Sequence, residues 1–142
     1  MKITVVAAGK IKERSLREVA DDYGKRIGRY VSFREVETKD ERGLAAAIPS
    51  QTHLVALEVW GKQLTSQDFA TKLDRWSQRG RGDVAFVIGA ADGIPPELSE
   101  GASEHLSLSK MTLPHRLARV ILLEQIYRGF SILRGEPYAR EG

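Results

Sequence analysis

The chain has 142 residues, 42% of them hydrophobic and 29% charged, with a net charge of +3 and no cysteine. That length allows one domain with a core of its own. The lack of cysteine excludes disulfides, Cys-ligated zinc, iron–sulfur clusters and a thiol nucleophile.

In chain order, Ile3 to Ala8 predicts a mostly buried strand ending at Gly9. Its apolar run is too short for a signal peptide and no cleavage site follows. Ser15 to Ile27 predicts a helix, since Leu16, Val19, Ala20, Tyr23 and Ile27 recur at three- and four-residue spacing. Val31 to Glu37 alternates as a strand, placed near an edge because its charges should face water. Thr38 to Gly43 is a charged loop, and Leu44 to Ile48 a short helix stopped by Pro49. His53 to Glu58 is a third strand, leading into Val59-Trp60-Gly61-Lys62. Thr65 or Ser66 caps a helix running to Gln78, with Asp68 in the first turn, where the helix dipole favours an anion.

Gly80 to Asp83 is a turn, and Val84 to Ile88 is apolar throughout, as expected of a strand covered on both faces. Pro95 to His105 reads as a short helix. Leu106 to His115 reads as a strand end that loops, through Pro114, into a long apolar helix from Leu117 to Leu133. This alternation predicts an α/β fold, a mainly parallel sheet with helices on both faces, in one domain over residues 1–142. Ligands of such sheets bind outside the carboxyl ends of the strands. The stretches Val84–Gly93 and Leu106–His115 therefore read as two walls of one pocket. Val120 to Leu123, extended by Ile126, Tyr127 and Phe130, makes the last helix apolar all round. A small domain has little left to cover a second apolar face, which predicts a twofold homodimer.

The net charge resides at the C-terminal end. From His105 onward six basic residues (Lys110, Arg116, Arg119, Arg128, Arg134, Arg140) face three acidic ones, and the rest balances sixteen against sixteen. This suggests an anionic partner, although a solvated helix face has the same composition. No window has the apolar length to span a bilayer, and a cytoplasmic protein is the simplest reading.

The glycine turn is Gly89-Ala90-Ala91-Asp92-Gly93, not G-x-G-x-x-G, and there is no Walker motif. The pocket suits a ligand with an adenine ring and no phosphate. His53, His105 and His115 lack metal-ligand spacing, so no metal is expected. No nucleophile elbow occurs. Asp92 and Glu97 read more simply as a turn residue and a first-turn helix acid than as an acid–base pair.

Several separated motifs carry a family resemblance. They are Val5–Lys10, Leu57–Lys62, Phe86–Gly93, Leu106–His115, Glu124-Gln125-Ile126-Tyr127-Arg128 and Pro137-Tyr138. In this order and spacing the chain resembles the SPOUT-class methyltransferases that modify N3 of a pseudouridine in 23S ribosomal RNA of the large subunit. The resemblance implies a trefoil-knotted α/β fold and S-adenosylmethionine as cofactor. It also implies a homodimer that receives RNA near the subunit boundary, on the assembled ribosome. By position it implies cofactor contacts from Leu57, Gly89, Leu108, Ser109, Lys110, Met111, Thr112 and Leu113. Glu124, Arg128, Tyr138 and Arg140 would form the catalytic, substrate side, with the tail ordering over the pocket when RNA binds. The chain departs from the family in Gly89-Ala90-Ala91-Asp92, where two glycines and Pro-Glu are usual, and in Ala139, where a histidine is usual. The region Thr38–Gln51 is shorter than expected. The plainer readings are that Leu108, Met111 and Leu113 are core, that Arg128 merely pairs with Glu124, and that the domain is a non-catalytic RNA-binding module.

Overall fold

A computed structural model describes residues 1–142. Five strands form one parallel sheet: β1 Lys2–Ala8, β2 Ser32–Thr38, β3 His53–Gln63, β4 Val84–Ile88 and β5 Glu104–Ser107, in the spatial order β2-β1-β4-β3-β5. Parallel neighbours need crossovers, and the helices supply them. The two-residue period of the strands then separates two apolar layers. Val5, Val55 and Phe86 point into the larger layer with Leu73, Trp76 and Ile126. Val6, Ala56, Ala85 and Val87 point to the other face, with Leu44. The first face is covered by α1 (Arg14–Ile27), α3 (Ser66–Ser77) and α5 (His115–Arg134). The second is covered by the short helices α2 (Leu44–Ala47) and α4 (Pro96–Glu100). The Thr65 hydroxyl caps α3 by accepting from the Asp68 N–H at 3.0 Å. No helix is long and apolar enough to cross a membrane.

Three expectations need correction. The helix placed over Pro95 to His105 stops at Gly101, and Glu104 and His105 already belong to β5. The third strand runs on to Gln63, but Leu57 and Lys62 both pair with Leu106, so Glu58 to Gly61 bulge out of the sheet. β2 is an edge strand as read, yet Glu35 and Glu37 do not face water. They turn inward to two arginines. The last helix, α5, stands as read, with apolar side chains on a covered and an uncovered face. It lies beside α1 and α3, which bury Leu122, Leu123, Ile126 and Phe130; Leu117 and Ile121 stay exposed one turn apart.

The arginines that receive Glu35 and Glu37 are Arg17 on α1 and Arg119 on α5. Arg119 is fully buried. Its Nη1 donates to Glu35 Oε2 at 3.0 Å and to Glu37, and its Nη2 donates to the carbonyl of Gly9 at 2.9 Å. Arg17 pairs with the same two carboxylates, and the Ile11 N–H donates to Glu37 Oε2 at 3.1 Å. Two cations and two anions thus tie the start of α5 to the carboxyl ends of β1 and β2. Burial alone would push Glu37 upward. The hydrogen bonds from Arg119 and from the Ile11 N–H outweigh that and hold its carboxyl below the usual range.

Removing one partner strands the other charges in a dry site. Arg119→Met should therefore cost about 3–5 kcal/mol in urea unfolding. A loss below about 1 kcal/mol would show that the network is not structural. Because the folded pKa of Glu37 lies below the unfolded one, its contribution is present above about pH 4.5 and lost as pH falls through the folded value. Acid unfolding of Glu37→Gln should accordingly be less steep in pH than that of the wild type.

Candidate functional site

A cavity of about 750 Å³ opens at the carboxyl ends of β3, β4 and β5. One wall is the bulge after Leu57, a second is the turn Ile88–Ile94, and a third is the Leu106–Pro114 segment. The first turn of α5 closes it with His115 and Ala118. The two loops read from sequence as walls of one pocket do face each other across this cavity. Of the expected cofactor residues, Leu57, Gly89, Leu108, Ser109, Met111, Thr112 and Leu113 line it. Lys110 does not. The Ser109 hydroxyl accepts from the Met111 N–H at 2.9 Å, a local turn that leaves the Lys110 side chain at its apex in solvent.

Gly89 has a different reason from the one its position suggests. A Cβ there would lie 2.3 Å from the carbonyl carbon of Gly93, so a side chain would collide with the turn before meeting any ligand. The turn is closed by the Gly93 N–H donating to the Ala90 carbonyl at 2.9 Å. A Gly89 variant would thus report on the turn as well as the ligand. Ala90 lines the cavity without preventing that closure. Asp92 and Glu97 are exposed and neither lines the cavity.

Glu58 and Trp60 fall in the motif Leu57–Lys62 and His115 in the wall Leu106–His115, but sequence reading gave none of the three a role in the site. A carboxylate one residue beyond an apolar strand end was the available signal for Glu58. Trp60 and Met111 are 68% and 77% exposed at the mouth, large apolar groups that invite a covering surface. His115 is held below its ordinary pKa by burial and then by the charges of Arg116 and Arg119. It presents a neutral imidazole to the cavity at pH 7.

Glu124, Arg128 and Tyr138 form a second cluster. The Tyr138 hydroxyl donates to Glu124 Oε2 at 2.8 Å and lies 3.0 Å from the Tyr23 hydroxyl. Arg128 donates to Glu124 at 3.0 Å and to the Glu141 carbonyl at 2.6 Å, with its guanidinium 5.1 Å from the centre of the Tyr138 ring. Tyr138 also packs edge-on against Tyr127 at 4.6 Å. Burial first, then the bonds to Tyr23 and Glu124, push the Tyr138 phenol well above its usual range, so it donates a proton and does not act as a base. Arg140 is exposed.

None of these four residues lines the cavity. Arg128 lies ten residues beyond Ala118 on α5, about 15 Å along the axis. The tail is therefore not a segment waiting to order over its own pocket. It is a 3-10 turn, Pro137–Arg140, already seated on α5 and α1.

The fold and the paired loops define an α/β domain with a ligand cavity at the strand ends. The family model described as "Predicted SPOUT methyltransferase" matches residues 1–139, and the chain belongs to that family. Membership implies the trefoil knot and makes S-adenosylmethionine the methyl donor. Among curated proteins the chain is 46% identical to "Ribosomal RNA large subunit methyltransferase H" of Sorangium cellulosum, over 98% of this chain and 99% of that protein. The protein of the same name from Exiguobacterium sibiricum is 41% identical, over 97% and 99%. Among solved structures, a probable methylase family protein from Haemophilus influenzae shares the fold with a TM-score of 0.55 at 14% identity, over 94% of this chain and 67% of that one.

The residues present fit this cofactor. The loop walls are mainly apolar and offer backbone groups, and the cavity volume is in the range of small-molecule sites. Filling the cavity from α5 tests the assignment. Ala118→Phe should weaken S-adenosylmethionine binding at least tenfold by calorimetry, about 1.4 kcal/mol, with an unchanged far-ultraviolet spectrum. Full affinity in the folded variant would move the cofactor elsewhere.

Proposed function

We propose that the protein methylates N3 of a pseudouridine in 23S ribosomal RNA of the large subunit, on the assembled ribosome, and that it works as a homodimer. The observation that carries this reading is the cavity itself. It is assembled from three motifs that match the family, Leu57–Lys62, Phe86–Gly93 and Leu106–His115, in a chain whose curated relatives carry a ribosomal RNA methyltransferase name along nearly their whole length.

S-adenosylmethionine supplies an already activated methyl group, so the protein's part is to position and to manage one proton and one developing charge. Leu57, Leu108, Ser109, Met111, Thr112 and Leu113 hold the cofactor, with Gly89 shaping the turn beside it. Holding two reactants in line removes a large part of such a barrier. Arg128 stays cationic through its bond to Glu124 and would stabilise the imide anion that forms as N3 loses its proton. Tyr138 fixes the face of that guanidinium. Arg140, exposed beside it, is free to meet phosphate. Ala139 exchanges no proton, so the base comes from elsewhere or solvent takes the proton from N3, and we propose solvent. Activity should then rise with pH, with no histidine-like inflection near neutrality.

The separation of the Arg128 cluster from the cavity along α5 favours a dimer in which one subunit's cluster faces its partner's cavity. The exposed Leu117 and Ile121 near the cavity offer apolar surface for the contact. Mixing two inactive variants tests this. At cofactor concentrations below the affinity of Ala118→Phe, Arg128→Ala and Ala118→Phe should each sharply lower methyl incorporation into ribosomes, and a mixed dimer should regain part of it, because one of its two sites is intact. No recovery from a proven mixed dimer would place the whole site in one chain. A stable monomer at micromolar concentration in sedimentation would refute the dimer.

A further inference from the structure

Glu58 is the only carboxylate that lines the cavity, and no lysine or arginine lines it. The bulge puts it there, because Leu57 and Lys62 share Leu106 as partner and the four residues between leave the sheet. Gly61 lets the bulge fold tightly onto β5. A Cβ at that position would lie 2.8 Å from the carbonyl carbons of His105 and Leu106.

The carboxylate is immobilised. Its side chain is 11% exposed. Oε2 accepts from the Ser99 hydroxyl at 2.9 Å, and His105 Nε2 lies 3.6 Å from the same oxygen. That nitrogen is 2.8 Å from the Ser99 carbonyl. A carbonyl can only accept, so the proton sits on Nε2. Trp60 packs on the His105 ring at 4.6 Å and keeps it in place. Oε1 has no protein partner, yet it is not among the atoms sealed from solvent. The other titratable group of the wall, His115, is neutral at pH 7. The cavity wall therefore holds one fixed carboxylate and no lysine or arginine, with His105 behind that carboxylate and outside the lining.

The cofactor and its product differ by one charge: S-adenosylmethionine is a sulfonium, and S-adenosylhomocysteine is a neutral thioether. In a poorly screened apolar cavity a carboxylate acts on a cation several ångström away without touching it. We propose that Glu58 is a specificity-determining residue that favours the charged methyl donor over its neutral product, so that the spent cofactor leaves and is replaced. This rests on the assignment of the cavity to the cofactor, which Ala118→Phe tests separately.

The experiment is calorimetry of the wild type and Glu58→Gln with three ligands: S-adenosylmethionine, S-adenosylhomocysteine and sinefungin, which carries an ammonium group where the sulfonium stands. The amide oxygen of glutamine can still accept from Ser99, so the bulge is kept. The substitution should weaken the two cationic ligands roughly tenfold and the thioether less than twofold. Glu58→Asp, which retains the charge, should keep the preference and covers the case of a poorly folded amide variant. An equal loss for all three ligands would mean that Glu58 holds a group they share and would overturn the proposal. No loss for any of them would overturn it too. If Ala118→Phe leaves S-adenosylmethionine binding intact, the cavity assignment itself has failed, and that result is distinct from either of these.

Discussion

The buried guanidinium of Arg119 is the constraint on which the cavity depends. Two guanidiniums and two carboxylates taken from water are costly, and their mutual attraction offsets that cost only when the geometry is good and the remaining lone pairs and protons are satisfied. Glu37 meets most of this demand by accepting from Arg17, Arg119 and the Ile11 N–H together. The network gives little net stability relative to an apolar core, but it admits few alternative arrangements. Its consequence is positional. The first turn of α5, which carries His115 and Ala118 into the cavity wall, has its place relative to β1 and β2 set by charge, not by shape alone.

Charge is distributed differently at the two ends of α5. At its start the cation is buried and paired, and at its middle Arg128 is held at the surface by Glu124 and capped by the tail. Ala118 and Arg128 stand ten residues, about 15 Å, apart along this rigid helix, so one copy holds the cavity wall and the cationic cluster at separate points. The cavity and the cationic cluster are thus separate pieces of chemistry on one rod. That is the physical reason to expect a second subunit in the complete site.

The departures from the family pattern are tolerated for local reasons. Ala90 stands where a second glycine is usual, and the turn still closes because its close contact is between Gly89 and Gly93. Ala139 lies within the tail turn, whose anchorage comes from its neighbour Tyr138 through Tyr23, Tyr127 and Glu124. The loss of an ionisable group there leaves the anchorage intact.

Much of this protein was legible in the residues themselves. Two-residue and 3.6-residue periods are local properties, so Val84–Ile88 and the helix after Thr65 could be read directly, whereas β2 is at the edge although the charges that suggested it turn inward. The loops Gly89–Gly93 and Leu106–His115 follow from glycine and proline chemistry at strand ends, and their motif order placed the chain in its family. Tertiary structure alone decided the rest, because it depends on partners distant in sequence. Glu35 and Glu37 alternate like solvent-facing charges until Arg119, more than 80 residues away, is folded onto them. The bulge at Glu58 exists because Leu106 serves two partners, which no local pattern of β3 encodes. Lys110 sits inside a motif but outside the cavity, since one serine hydroxyl turns the backbone there. The tail carries the composition of a frayed end, yet it is held by Tyr23, a residue 115 positions earlier in the chain.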